Sequence, residues 1–417
     1  MTSTARGSVQ SSEERFRMMR AVVALGITQI TAWGTSYYCL GVLAASVGAN
    51  MHWTSSFVFL GYTVAVLVMA VISGWVGRLI DIHGGRVVMS IGSVILAAGL
   101  YLLSHVTAEW AWLAVWGLIG VGMRCCLYDA AFAALVQEVP GNGRRAISYL
   151  TLFGAFASSV FWVVGHYLDE SLGWRQTLVV FAVLNLIVCL PLHWFGLSRH
   201  VRKAPVMNDV TNQARPAEEP GVLHGRARTI GIALFALIMS INGYVFGVTS
   251  VQLVPMLEAA GLTAAAAVWV ASLKGFAQFG GRVVEIIFGR NLSAISVARI
   301  AIAVLPLAFV LLYVGTGSLE MLVAFTAVIG ASQGVVTIVR GAVPLALFGT
   351  RGYGAILGFI ATPVLVVSAA GPTIYAWIID NFGWKAGNIS ILVSTAAAVI
   401  CMEAMAWWHR RAVSSTQ

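Results

Sequence analysis

The sequence predicts an all-α membrane protein, with twelve transmembrane helices in two pseudo-symmetric six-helix halves. Three observations carry that prediction. Apolar residues fill 59% of the 417 positions and charged residues only 10%, whereas about a quarter of a soluble chain is charged. Twelve apolar stretches follow one another, each near the roughly 20 residues that cross a hydrocarbon core as a helix. Finally, Gly173, Trp174 and Arg175 recur as Gly383, Trp384 and Lys385, 210 residues later, at the start of the sixth and twelfth stretches.

The stretches of the first half lie near 21–45, 55–76, 87–106, 110–137, 147–168 and 175–197, and those of the second near 229–253, 265–288, 294–316, 319–347, 354–378 and 386–408. Strands of a membrane barrel would be about ten residues of alternating character, which these are not. The chain therefore divides into an N-terminal tail (1–20), a six-helix half (21–197), a linker (198–228), a second half (229–408) and a C-terminal tail (409–417). The linker mixes Pro, Gly and both charge signs without an apolar period, as a connecting segment does. Two like halves with a midplane site between them are a transporter architecture.

Basic residues fix the expected orientation. Arg6, Arg15, Arg17, Arg20, Arg78, Arg86, Arg144, Arg145, Arg199, Arg202, Lys203, Arg215, Arg226, Arg228, Arg290, Arg351, Arg410 and Arg411 gather on one side, against Arg175 and Lys385 on the other. Both termini are thus expected in the cytoplasm, with the chain multi-pass in a bacterial inner (plasma) membrane. The net charge of +9 reads as topology; a nucleic-acid partner would need the cations on one soluble surface. No cleavable signal precedes the first stretch. The five cysteines fall inside predicted spans and read as small apolar packing residues, with a soft-metal site at Cys125 and Cys126 as the lesser alternative.

The eighth stretch carries Lys274, Gln278, Arg282 and Glu285. At 100° per residue they share a sector about 80° wide. Each charge near a bilayer centre costs at least about 2.5 kcal/mol, so that sector must line protein or a water-filled path. The stripe is expected to hold something negatively charged; the alternative is that Lys274, Arg282 and Glu285 neutralise one another.

After the second stretch the chain reads Gly77 Arg78 Leu79 Ile80 Asp81 Ile82 His83 Gly84 Gly85 Arg86. This resembles the Gly-x-x-x-Asp-Arg-x-Gly-Arg-Arg signature of the major facilitator superfamily, matching at Gly77, Asp81, Gly84 and Arg86 and departing at Ile82 and Gly85. Gly77 suits close helix approach, Gly84 a tight turn, and Asp81 can accept from a neighbouring helix N-terminus; together they would form a gate. Gln278-x-x-x-Arg282 is similar to the Asp-x-x-x-Arg of the monocarboxylate porters and to the helix-eight arginine of oxalate/formate antiporters. That resemblance implies an arginine gripping a substrate carboxylate, whose geometry its planar fork suits. Trp33 Gly34 Thr35 Ser36 Tyr37 Tyr38 looks like the aromatic-rich first helix of that group. Gln278 stands where those porters carry a titratable acid, and Glu285 is the expected proton-coupling replacement.

Three more charges lie within predicted spans. Arg124 and Asp129 are five residues apart, about 140° in azimuth on a continuous helix, and are expected to find separate partners: Asp129 to Arg340 of the tenth span as an inner gate, Arg124 as a second substrate anchor. Gln29, Trp33 and Tyr37 recur every four residues, and Asn242 and Tyr244 lie at similar depth; Trp33, Tyr37 and Tyr244 are expected to enclose substrate. Pro363 and Pro372 mark kinks in the eleventh span. The chain lacks a phosphate-binding Gly-x-x-x-x-Gly-Lys-Ser/Thr loop and a His-Glu-x-x-His site, so no enzyme, no cofactor and no ATP-driven pump is expected. The expectation is a secondary transporter of a small carboxylate-type anion by alternating access, as symport with protons or antiport with a counter-anion. A proton-driven exporter of amphiphilic drugs or metabolites and a non-transporting membrane receptor or scaffold are the alternatives.

Overall fold

A computed structural model describes residues 2–199 and 222–414. All regular elements among them are helices. Nine of these are long and apolar enough to cross a membrane, and the longest, Tyr353–Arg411, holds two crossings. The first crossing, interrupted by a π turn, and the eighth, whose polar stripe lowers its hydropathy, complete twelve. In chain order, span 1 comprises Thr2–Ala32, a π turn at Trp33–Tyr37 and Leu40–Met51; span 2 is Ser55–His83 and span 3 Gly85–Leu103. Span 4 is Glu109–Cys126 with Tyr128–Glu138, span 5 Gly143–Gly154 with Ala157–Leu172, and span 6 runs from Trp174–Leu184 to Leu190–Gly196. Spans 7 to 10 are Gly225–Val251, Ala264–Phe288, Ala294–Val314 and Leu319–Phe348. Spans 11 and 12 are the two arms of Tyr353–Ser414 on either side of Gly383.

The halves repeat in backbone detail. Gly173 (φ 80, ψ 161) and Gly383 (φ 79, ψ 167) adopt the same positive-φ conformation ahead of spans 6 and 12, one that a side chain would strain. Spans 2 and 8 both open on a threonine cap, Thr54 accepting from the Phe57 N–H and Thr263 from the Ala266 N–H.

Three sequence expectations meet the structure here, one of them mostly outside the described residues. Span 1 is already helical from Thr2, through positions read as a tail. Pro363 and Pro372 sit inside the helix of span 11, and the non-helical backbone lies at Gly383; in a bundle, neighbouring groups take up the backbone bonds a proline leaves unmade. Most of the linker expected over 198–228 lies outside the described residues.

Large apolar side chains cover the exterior, among them Val71, Trp110, Phe195 and Phe276, each at least three-quarters exposed. Such a surface belongs against lipid. The interior is not uniform. One core runs through the N-terminal half and crosses into spans 7, 9, 10, 11 and 12 near the end that bears the basic loops, through residues such as Phe132, Val343, Leu347 and Tyr353. A separate core, including Met256, Phe309, Phe325 and Tyr375, fills the opposite end of the C-terminal half. The halves are therefore joined by packing at the basic end, and each has its own core at the other.

Candidate functional site between the halves

Span 8 carries the polar stripe along the seam, but its side chains part company. Lys274, half-buried, donates to the Thr249 carbonyl at 3.1 Å and to Thr249 Oγ1 at 3.2 Å, with its Nζ 5.7 Å from the Phe246 ring centroid. Gln333 of span 10 donates to the same hydroxyl at 2.9 Å. Gln278 is half-buried, and its backbone lies against Gly334. Arg282, 5% exposed, donates across the seam to the Thr151 carbonyl at 2.6 Å and within its own half to the Gly334 carbonyl at 3.4 Å. Glu285 turns away to span 5, accepting from Ser148 Oγ at 2.9 Å and from Arg144 Nη2 at 3.1 Å. The stripe does not neutralise itself. Among the described residues neither Lys274 nor Arg282 has a carboxylate within ion-pair distance.

Arg124 and Asp129 correct the helical-wheel expectation. They bond to each other, Nη1 to Oδ2, at 3.0 Å. The reason is Leu127, whose extended backbone (φ −79, ψ −173) ends one helix at Cys126 and starts another at Tyr128. Azimuths computed for a continuous helix do not carry across that break. It also places Arg124 at a helix C-terminus and Asp129 at an N-terminus, where each charge suits the helix dipole. Arg124 Nη2 additionally reaches the Ser73 carbonyl at 3.5 Å, so its charge is engaged within the N-terminal half. Arg340 bonds the same Asp129 oxygen from span 10 at 2.7 Å, across the halves.

Above these charges sits an aromatic cluster. Trp33 packs at tilted angles against Tyr37 (4.7 Å), Tyr128 (5.2 Å) and Tyr38 (5.9 Å), and Tyr37 meets Tyr62 edge-on at 5.1 Å. Trp33 is held by its indole N–H on Gln29 Oε1, and Gln29 by its amide on the Cys126 carbonyl, at 3.1 and 2.7 Å. Tyr38 and Tyr128 lie within electrostatic range of Arg282, and Tyr37 within that of Arg340. The π turn at Trp33–Tyr37 adds a residue to the helical repeat, which is how Tyr37 and Tyr38 both reach this cluster. Tyr38 belongs to the aromatic run of the first span, whereas Tyr62 and Tyr128 were not foreseen from the sequence; an aromatic inside a predicted span was the available signal, and it does not tell a lining from a core. Tyr244 is elsewhere, packed on Gly371 in the C-terminal half.

Closer to the basic end the halves are clamped. Asp81 Oδ1 and Oδ2 accept from the backbone N–H groups of Gly354 and Ala355, at 2.9 and 2.8 Å, at the start of span 11. Spans 2 and 11 then run against each other. A side chain at Gly77 would run into the Gly354 carbonyl, and Thr362 donates to the Ala70 carbonyl at 2.9 Å. Gly84 (φ 82) makes the turn into span 3, and Arg86 stacks over Trp194 at 4.3 Å rather than crossing the seam. On the other flank Arg144 donates to the Gly289 and Leu292 carbonyls as well as to Glu285. Span 8 packs against Gly143–Gly154 of span 5. The basic end is closed, and Arg282 lies just inside that closure.

The family model of the Major Facilitator Superfamily matches residues 25–316. Comparison with curated protein sequences finds no match. Among solved structures, the chain is similar to the human organic anion transporter MFSD10 (TETRAN), with a TM-score of 0.72 at 13% identity over 92% of this chain and 99% of that one. It is also similar to FucP, a Major Facilitator Superfamily transporter in the outward conformation, with a TM-score of 0.64 at 13% identity over 93% and 99% of the two chains. At that identity the likeness is one of fold.

Proposed function

The chain belongs to the Major Facilitator Superfamily, and from that premise we propose that it carries a small organic anion of the carboxylate type across the membrane by alternating access. One observation carries the reading: Arg282 is buried at the seam and donates to the Thr151 and Gly334 carbonyls, with no carboxylate within ion-pair distance among the described residues. A buried cation without a counter-ion is expensive to maintain. A bound anion would satisfy it with two-pronged geometry. Gln278 and Lys274 lie one and two turns further along the same helix, toward the end where the halves separate, and Trp33 and Tyr37 cover the approach. By the positive-inside rule the basic end is the cytoplasmic one, which makes this conformation closed to the cytoplasm and the Asp81 and Glu285 contacts its inner latches. Gly77 and Gly84 shape the first latch.

The aromatic cluster favours a second reading, in which an amphiphilic compound stacks on Trp33 and the tyrosines and is exported. Thermal unfolding of the purified protein separates the two, because a ligand of the folded state stabilises it by mass action. Lactate, oxalate and succinate are the anionic probes and tetraphenylphosphonium the amphiphilic one. The anion reading expects a concentration-dependent rise in Tm with at least one carboxylate, lost in Arg282→Ala and weakened in Arg282→Lys. An undiminished rise in Arg282→Ala, or a response to tetraphenylphosphonium alone, would replace it with the exporter reading.

A further inference from the structure

Asp129 is where three charges meet at the seam. Its Oδ2 takes a hydrogen bond from Arg124 in its own half and another from Arg340 in the opposite one, at 3.0 and 2.7 Å. Its Oδ1 is buried and has no hydrogen-bond partner. Arg124 and Asp129 are 3% and 7% exposed. An ionised carboxylate offers about four acceptor positions, two on each oxygen, and here one whole oxygen is left empty in a buried place. A proton can therefore be added at Oδ1, the oxygen that neither arginine occupies.

The surroundings of the carboxylate are otherwise committed. Arg124 comes from span 4 and is steadied by the Ser73 carbonyl of span 2, with the Cys125 thiol beside it. Arg340 comes from span 10 and has Tyr37 of span 1 within electrostatic range. Tyr353 of span 11 faces Asp129, but its hydroxyl donates to the Gly341 carbonyl at 2.7 Å. Among the described residues no second carboxylate stands within ion-pair distance of either arginine. The group carries two positive charges and one negative one.

We propose that Asp129 is the proton-binding site of the carrier, and that taking up a proton on Oδ1 releases Arg340 to the transported anion, so that the two travel together. A hydrogen bond to a charged acceptor is roughly twice as strong as one to a neutral acceptor. Protonation therefore loosens both arginines, and the bond across the halves is the one whose loss opens the basic end. The charge balances: one proton raises the group from +1 to +2, and one monovalent anion on Arg340 returns it to +1. On the far side the proton leaves to water, Asp129 is ionised again, Arg340 returns to it, and the anion is displaced. Glu285, the acid of the stripe, is held by Arg144 and Ser148 and faces no released arginine. The proton site itself needs no anion; the pairing with an anion rests on the function proposed above.

The test reads opening of the basic end without any organic anion. Dyes on cysteines introduced by His83→Cys and Asn291→Cys, both exposed positions at that end, report the separation of the halves by fluorescence transfer in the full-length protein in nanodiscs. The separation is read at about pH 8 and again after acidification to about pH 5. The wild type should shift toward the open separation on acidification. Asp129→Asn should hold the open distribution at both pH values, while Asp81→Asn and Glu285→Gln, at the other carboxylates of this seam, should keep a pH response. Retention of the wild-type response in Asp129→Asn overturns the proposal. If that variant does not fold, Arg340→Gln removes the same bridge from the other side, and a full pH response there overturns it equally. With no organic anion present, the outcome is independent of the Arg282 experiment: loss of carboxylate binding with an intact Asp129 response would remove the substrate reading and leave the proton site standing.

Discussion

Asp81 at the end of span 2 and Glu285 near the end of span 8 occupy corresponding places in the two halves, and each reaches the start of a helix in the opposite half. Asp81 is received by backbone, the N–H groups of Gly354 and Ala355. Glu285 is received by side chains, the Arg144 guanidinium and the Ser148 hydroxyl. The same geometric problem, closing one end of a two-half bundle, is solved once with a helix N-terminus and once with an ion pair. The first solution depends on the acid and on close approach; the second also depends on what stands opposite. Breaking each side by the same chemistry measures how much the difference matters.

The largest effect is expected from removing both charges together. Hydrogen bonds to a charged group contribute about 1.5–3 kcal/mol each, and every 1.4 kcal/mol shifts an equilibrium about tenfold. Asp81→Asn with Glu285→Gln should therefore raise the population open at the basic end by roughly two orders of magnitude or more. Labelling a cysteine introduced by Ile147→Cys checks it. Ile147 is fully buried beside Gly341 at that end, so a water-soluble maleimide reaches it only on opening. Wild-type labelling rates in the double variant would mean that apolar packing alone holds the end shut.

Asp81→Asn alone should come next, at about tenfold, because an amide keeps one acceptor but turns its NH₂ toward the second backbone N–H. Gly354→Ala should match it by a different route. The N–H groups stay, but the new methyl would stand 2.6 Å from the Gly77 carbonyl oxygen and 2.8 Å from Asp81 Oδ1, so spans 2 and 11 must separate. The same maleimide reaction distinguishes the idea from its rival: if Gly354→Ala labels like the wild type, the close approach is incidental to the latch.

The two latches also differ in how they could be read. Asp81 stood out because a recurrent motif surrounds it, and its backbone partners needed no particular residue. Glu285 stood out as an acid in an apolar helix, yet Arg144 read only as one of many basic loop residues, since nothing in one-dimensional spacing joins positions 141 residues apart. The twelve spans and their repeat were legible because apolar length and a Gly-Trp-cation recurrence survive without tertiary detail. The Arg124–Asp129 pair was misread because the break at Leu127 carries no glycine or proline to announce it. Tyr62 and Tyr128 were missed because they reach the cluster from other spans, and an aromatic inside an apolar stretch does not tell a lining from a core.

Glu285→Gln should open the basic end less than Asp81→Asn does, by a few-fold. Arg144 loses its charge partner but keeps the Gly289 and Leu292 carbonyls, and Arg282 still bonds the Thr151 carbonyl of span 5. Replacing Arg144 removes its two carbonyl contacts as well, so Arg144→Ala should exceed Glu285→Gln. Equal labelling in the two variants would show that the carbonyl contacts contribute nothing and that this latch is the ion pair alone.

Ser148→Ala is the smallest change and the sharpest one for the comparison. It removes a single donor at 2.9 Å from a buried carboxylate oxygen and leaves Arg144 on the other, Oε1. If Glu285 is held chiefly by charge, Ser148→Ala costs less than Glu285→Gln, and labelling at position 147 rises by less than it does in that variant. If the hydroxyl instead orients the carboxylate for Arg144, both contacts go together and Ser148→Ala equals Glu285→Gln. A double-mutant cycle between the two positions decides it. A coupling energy near zero makes the side-chain latch a sum of separable contacts. A coupling as large as the single effects makes it one unit, like the paired N–H groups that receive Asp81.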